Sequence, residues 1–515
     1  MPGIADAVRA EWTKFRTVRG WVIGMMLAAG AIVAFGVLPS MQGSCGQHGP
    51  GSECTLPVGP DGELIQDGFS FVHRPLTGDG SITVRMTSFT GMVPGPPTTG
   101  DPGMRAGLVP WAKAGLIIKA STTAGSRYAA VMFTGGHGVR MQYNYTHDVA
   151  GPPSLQASLR QPPWLRLSRH GNMITGYAST DGVQWTTVGS TRLTGLTSTA
   201  QVGVFATSPQ YAESIHQAGM SGDYGGMTQA TATFEPPTLA GGWTGEADSV
   251  ATGGSSAGES STGSWIADQL GNGAGLDRID GFTLTGSGDI APAVTGATGI
   301  GTTVTQTLIG TFIGLILVVV IGAMFVTAEY RRGLIRTTLA ATPRRGIVLA
   351  TKAAVVGSVT FVAGVIGAAI VVGFGPGVLR SNGVYVFPAD LATDISLVVG
   401  TGAMLAVAAI LALSIGAVIR RGAAAVATVV AVTVVPYLLS MTLLPLHAAQ
   451  WVLRISPAAG FAIQQSAIRY PQVSNVYSPN DGFFPLAPWA GFAVLCAWAA
   501  FGLTAAFLVL KTRDA

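Results

Sequence analysis

Charge is scarce in this chain. Asp, Glu, Lys and Arg make up 10% of its 515 residues, against about a quarter in ordinary soluble proteins. Lysine is rarest of the four, at five positions (Lys14, Lys113, Lys119, Lys352 and Lys511). A phosphate-binding P-loop needs Gly-x-x-x-x-Gly-Lys followed by Ser or Thr. Only Lys511 precedes such a residue, and Val509-Leu510 stand where the loop glycine belongs. A self-contained P-loop ATPase is therefore excluded. Cysteine is almost missing too, with Cys45, Cys54 and Cys496. Cys45 and Cys54 are separated by eight residues, and in an oxidising compartment they are expected to close a small loop as a disulfide. With His48 they fall short of the four ligands a structural zinc takes, so no metal is expected. Cys496 lies in an apolar run and is read as a packing residue.

Hydrophobic types, by contrast, are 48% of the chain and mean hydropathy is +0.44, with 71 glycines and 29 prolines. This excludes a disordered chain and argues against a wholly soluble one. Six stretches reach the roughly 20 apolar residues a membrane helix needs: Trp21–Leu38, Thr303–Ala328, Ala353–Phe374, Ile395–Ile419, Ala423–Leu444 and Trp489–Leu510. The first is read as a retained anchor rather than a cleaved signal peptide. None of the six contains Asp, Glu, Lys, Arg or His, which argues against proton- or sodium-coupled carriers and charge-selective channels. If such a chain moves a cargo, the energy comes from another polypeptide.

The few charges are unevenly placed. The segments before span one, between spans two and three, between spans four and five and after span six carry 14 basic and four acidic residues. With six spans all four segments fall on one side, so both termini are expected in the cytoplasm of a multi-pass plasma-membrane protein. Residues 39–302 then form an external region with 12 basic and 18 acidic residues. Short alternating runs between glycine turns mark it as an antiparallel β-sandwich. Trp164–Arg169, Met173–Ser179 and Gln184–Val188 are consecutive strands. Ala114–Lys119, Tyr128–Phe133, Val139–Tyr145, Gln201–Phe205 and Gly281–Leu284 follow the same pattern. Residues 240–264 are rich in Gly, Ser and Thr and read as a long flexible loop. Asp277 and Asp280 are a carboxylate pair best read as a surface turn.

Three cytoplasmic or near-membrane segments add detail. Ile4, Val8, Trp12 and Phe15 recur at helical spacing over Ile4–Arg19, as in an interfacial amphipathic helix. Leu334–Ala341 reads as a short helix stopped by Pro343. Such a helix, held between two spans, can transmit a push from a partner. Arg454 and Arg469 precede the last span with no evident ligand.

The hairpin Trp164–Gly189 resembles those of concanavalin-like jelly-roll domains, a resemblance that extends over about residues 60–235. Many such domains bind sugars. Trp164, Tyr177 and Trp185 are expected in the sandwich core, and Trp111, Tyr143 and Tyr145 are candidate glycan contacts on a concave face. The segments Arg9–Arg19, Thr327–Pro343 and Leu453–Gln465 resemble, in that order, the start, coupling segment and pre-terminal segment of actinobacterial ABC-type export permeases. With the spans, the resemblance covers about half the chain. It implies three parts. Residues 1–38 form an amphipathic helix and the first span, residues 39–302 an inserted external domain, and residues 303–515 five further spans with a coupling helix at 329–345. It also implies a dimer of ATP-binding subunits that supplies ATP and Mg, with no cofactor in this chain. A second permease copy and the lipid bilayer are the other implied partners, an envelope glycan is a candidate ligand, and nucleic acid is not expected. Carried over by position, Glu329, Tyr330, Arg331, Arg332, Arg336, Thr337 and Thr338 would contact the ATP-binding subunit. The expected role is export of an amphipathic, lipid-like or antibiotic-like compound. The alternatives are mechanotransmission or glycan sensing through the external domain.

Overall fold

The computed structural model describes residues 4–37, 56–95, 103–155, 157–217, 220–243, 250–251, 265–271, 278–296, 301–341, 344–382 and 384–512. Two parts are built on different physics: a bundle of long apolar helices and a large β-sandwich-like domain.

Six helical segments are long and apolar enough to cross a membrane: Arg19–Val37, Gly310–Arg331, Arg345–Ser381, Leu391–Ile419, Gly422–Thr442 and Pro488–Thr512. The N-terminal helix α1 (Ile4–Thr17) precedes the first of these, α2 (Arg19–Val37). A single turn, α3 (Val304–Thr307), leads from the β domain into α4 (Gly310–Arg331). Gly333, with φ of +68°, reverses the chain into α5 (Leu334–Ala341), a conformation that costs glycine little. Then come α6 (Arg345–Ser381) and α7 (Leu391–Ile419). Helices α8 (Gly422–Thr433) and α9 (Val435–Thr442) form one span interrupted just before Pro436, whose ring cannot donate to the helical ladder. After α10 (Leu446–Ile455), a buried 3₁₀ segment, Pro457–Gln464, precedes α11 (Pro488–Thr512). Small residues let these helices approach closely: a Cβ on Gly364 would lie 2.9 Å from the Gly402 Cα, and one on Gly416 2.8 Å from the Ala323 carbonyl oxygen.

In the β domain the spine is one 26-residue strand, Phe69–Pro94. The main antiparallel path runs Thr186–Arg192, Met173–Ser179, Trp164–His170, Phe69–Pro94, Thr199–Thr207, Lys113–Lys119, Tyr128–Thr134, Val139–Tyr143, His147–Ala150. The path curls so that its two wings meet face to face. A Cβ on Gly176 would lie 2.9 Å from Val131, and Leu165, Leu167, Ile174, Val131 and Met141 share one buried core. The sequence placed strands in most of these positions but not the spine.

The domain rests on the ends of the helices from which it emerges. Strand Ile65–Asp67 pairs with Ile290–Pro292 at its base. From the segment between α10 and α11, Asn475 Nδ2 donates to the Thr295 carbonyl at 2.7 Å and Gln472 Nε2 to the Thr146 carbonyl at 3.0 Å. Ala291, Val294 and Val473 close a small apolar cluster beside them.

Candidate coupling site at the far end of the helices

Helix α4 leaves the β domain at Gly310 and ends, at the opposite side of the bundle, at Arg331. There Glu329 is 8% exposed. Its Oε1 accepts from Lys352 Nζ at 2.6 Å and from Lys14 Nζ at 3.2 Å. Glu11 of α1 completes the cluster, accepting from Lys352 at 2.8 Å through Oε2 and from Lys14 at 2.8 Å through Oε1. Two carboxylates and two ammoniums are thus interleaved, and Lys14 also donates to Thr338 of α5 at 3.3 Å. Burying any one of these charges alone would cost several kcal/mol, and the alternation of sign offsets that cost. Burial alone would lower the Lys14 ammonium, but Glu11 and Glu329 hold it above its ordinary value.

Apolar contacts hold the four charges in place. Phe15 of α1 packs on Phe325 of α4 at a centroid distance of 5.9 Å, Trp21 of α2 meets the same ring at 6.0 Å, and Lys352 lies 5.1 Å above it. The cluster therefore joins α1, α4, α5 and α6 at one point. The spacing of Ile4, Val8, Trp12 and Phe15 by three or four residues gives α1 the apolar face that makes this possible, although Trp12 itself is 45% exposed.

Most of the coupling residues expected from sequence lie around this latch, with different exposures. Glu329 faces inward and is engaged within the chain, so it is not a free docking side chain. Tyr330 is half-buried beneath Arg420, whose guanidinium lies 5.2 Å from its ring. Arg331 and Arg332 are exposed at the turn, and Thr337 is exposed on α5. Arg336 lies on α5. Thr338 is half-buried and bonded to Lys14. Sequence reasoning counted Glu11, Lys14 and Lys352 for topology and missed that they meet. Their only sequence signal was that acids are scarce in the basic segments.

The third motif is placed in the bundle interior. Gln464, 4% exposed, donates through Nε2 to Thr401 at 2.9 Å and Thr311 at 3.1 Å. Beside it Phe461 stacks on Tyr437 at 4.0 Å. Gln464, Phe461 and Tyr437, with Gln306 and Met441, line a cavity of about 350 Å³.

The aromatic residues of the β domain need two corrections. Tyr145 is 1% exposed and cannot present its face to a sugar. Its hydroxyl donates to Asp67 Oδ2 at 2.8 Å, and Lys119 Nζ also reaches that oxygen at 2.8 Å. Burial lowers the Lys119 ammonium, with Asp67 opposing, and raises the Tyr145 hydroxyl well above its ordinary value. Trp111 is 7% exposed and stacked on His137 at 4.0 Å, whereas half-buried Tyr143 stacks on His147 at 4.5 Å. Conversely, Trp164, Tyr177 and Trp185 are only half-buried and do not belong to the core. Alternation sends Leu165, Leu167 and Ile174 inward and these rings outward, where Arg166 covers Trp185 at 3.9 Å and Arg85 covers Trp164 at 5.7 Å. Cys45, Cys54 and Asp277 lie outside the described residues, as does most of the Gly/Ser-rich stretch. Its start is ordered in strand Thr238–Trp243.

No family model matches the chain. No curated protein matches it. Among solved structures, the chain is similar to one described as a functionally unknown protein from Saccharomyces cerevisiae. The identity is 14%, over 34% of this chain and 72% of that one, and the TM-score of 0.19 carries no argument.

Proposed function

We propose that the chain is the membrane permease subunit of an ATP-driven exporter of the ABC type, with both termini and the latch in the cytoplasm and the β domain outside. The observation that carries this reading is the short helix α5. It is held between two long helices and tied at its base, through Lys14 and Thr338, to α1 and α6. A push on α5 or on the exposed Arg331-Arg332 turn would reach three membrane-associated helices at once. The chain has no P-loop of its own, so the push requires a separate ATP-binding subunit carrying ATP and Mg. Two permease copies over two such subunits would complete the assembly. The cavity beside Gln464 and Tyr437, apolar with two amide side chains, suits an amphipathic cargo.

The experiment is co-purification with candidate ATP-binding cassette subunits from the source organism, followed by ATP turnover in nanodiscs. Arg331→Glu with Arg332→Glu should abolish association while the isolated chain keeps its thermal midpoint. Association and turnover at wild-type level in that variant would sink the docking assignment. A chain that binds no such subunit in any pairing would sink the exporter reading.

A second reading, mechanotransmission to the β domain, is favoured by the hydrogen bonds from Asn475 and Gln472 to the domain's base. Under it, ATP turnover would change the domain's position with no substrate moved across reconstituted vesicles. Glycan sensing through the outward rings Trp164 and Trp185 is compatible with either reading.

A further inference from the structure

We infer that the groove beneath α1 holds one anionic phospholipid, seated from the leaflet on the latch side. This inference requires only that the helices lie in a membrane, and it stands or falls independently of the exporter reading.

The groove measures about 620 Å³ and opens between α1 and α2 on one side and α6 on the other. Its walls include Trp12, Met26, Val362, Ala363 and Ile366, and among the described residues that line it Arg16 is the only charged one. Met26, Val362 and Ile366 are 61%, 54% and 52% exposed within the chain, so the groove is an open apolar trough rather than a packed seam. Along α6 the lining runs from Ser358 to Ile366, a rise of about 12 Å at 1.5 Å per residue. The trough therefore starts within about two turns of Lys352 and runs from there into the hydrocarbon layer, open to an acyl chain. Arg16 and Trp12 stand at its entrance, at the depth where headgroups lie and where indole rings are favoured.

Charge selects the occupant. Glu11, the neighbouring carboxylate on α1, is turned into the latch and bonded to Lys14 and Lys352. This leaves Arg16 to face the trough's entrance, with Arg9 about two turns earlier on α1 and Arg19 at the start of α2. A phosphodiester headgroup meets that cation, and zwitterionic choline brings a compensating positive charge with it. A second copy of this chain fits less well, since of the carboxylates in its span helices Glu329 is engaged in the latch and Asp394 lies in the first turn of α7, at the end away from the latch. A lipid seated here would fill the space behind α1 and hold Glu11 against Lys352, linking lipid composition to the latch.

The test is native mass spectrometry of the full chain, taken from bilayers with equal phosphatidylglycerol and phosphatidylcholine. The wild type should retain phosphatidylglycerol in preference. Arg16→Gln should cut that preference about fivefold, the effect of one basic residue at an anionic surface, while Arg16→Lys preserves it. Ala363→Phe, which fills the trough without touching charge, should lower the total lipid retained. Equal retention of the two lipids by the wild type, or an unchanged preference in Arg16→Gln, overturns the proposal. So does unchanged lipid in a folded Ala363→Phe chain. If Ala363→Phe does not fold, the Arg16 pair decides alone.

Discussion

Lys352 Nζ lies 2.8 Å from Glu11 Oε2 and 2.6 Å from Glu329 Oε1. One ammonium at the start of α6 thus binds a helix from the N-terminus to the far end of α4. Its side chain is 1% exposed, whereas that of Lys14, the second cation, is 41% exposed. The two lysines should therefore differ sharply in cost. Lys352→Met leaves two buried carboxylates with one shared cation and is expected to cost about 3–5 kcal/mol. Lys14→Met removes a cation still 41% exposed and leaves both carboxylates bonded to Lys352, a loss of about 0–1 kcal/mol. Thermal midpoints of both variants in the same detergent check this. Equal losses would mean the cluster is hydrated throughout.

Lys14 also gives the latch a pH signature. Burial works to lower its ammonium, but Glu11 and Glu329 outweigh burial and raise it above the ordinary value of 10.5. A cation raised on folding contributes fully below its unfolded value and loses that contribution as pH rises through the folded value. The stability difference between wild type and Lys14→Gln should thus be flat from neutral pH to about 10.5 and shrink only above it. Melting followed by tryptophan emission across that range is the measurement. A difference that disappears nearer neutrality would contradict the assigned partners.

How far such features were legible depended on whether the signal was local. Leu334–Ala341 could be bounded from sequence because Gly333 reverses the chain before it and Pro343 blocks its extension. Met173–Ser179 was legible because its inward and outward residues alternate from Met173 to Ala178. The spine Phe69–Pro94 was not. Its first six residues are buried on both faces, which removes the alternation, and Gly78-Asp79-Gly80 in its middle reads as a hairpin turn. Tyr145 was misplaced for a related reason. The strand stops at Tyr143, and Asn144 and Tyr145 take left-handed φ values of 45° and 62°, so the alternation loses phase and the ring turns inward. The latch joins residues 11, 14, 329 and 352, a meeting that no local pattern encodes.

Within the β domain the corresponding test is at Asp67. Its carboxylate accepts from Lys119 Nζ at 2.8 Å, Tyr145 Oη at 2.8 Å and the Gly125 amide at 3.0 Å. Lys119 is fully buried between aromatic rings. Asp67→Asn strands that cation and should cost about 3–5 kcal/mol. Tyr145→Phe removes one donor from a carboxylate that keeps two others, and about 1–2 kcal/mol is expected. If Tyr145 instead served as a sugar platform, Phe would be tolerated in stability and Ala would lose binding on a glycan array. Urea melts of the two variants separate these outcomes.

Two glycines of α4 face different neighbours, and that difference sets the last expectation. A Cβ on Gly314 would meet Ile32 Cγ1 at 2.6 Å and Cδ1 at 2.9 Å, the flexible part of a side chain on α2. A Cβ on Gly322 would meet the Ala409 carbonyl oxygen at 2.6 Å, backbone of α7 that cannot rotate away. Gly314→Ala can be absorbed by a rotamer change at Ile32, with gains from reduced backbone freedom partly offsetting the strain. Gly322→Ala must push α4 and α7 apart where their backbones pack closely, so overpacking of about 1–3 kcal/mol is expected. Because α4 also carries Glu329, the displacement should be felt at the latch. A cysteine pair placed at Trp12 and Val362, across the groove, should cross-link less efficiently in Gly322→Ala than in Gly314→Ala. Equal cross-linking and equal thermal midpoints would mean that α4 and α7 are not packed backbone to backbone at this point.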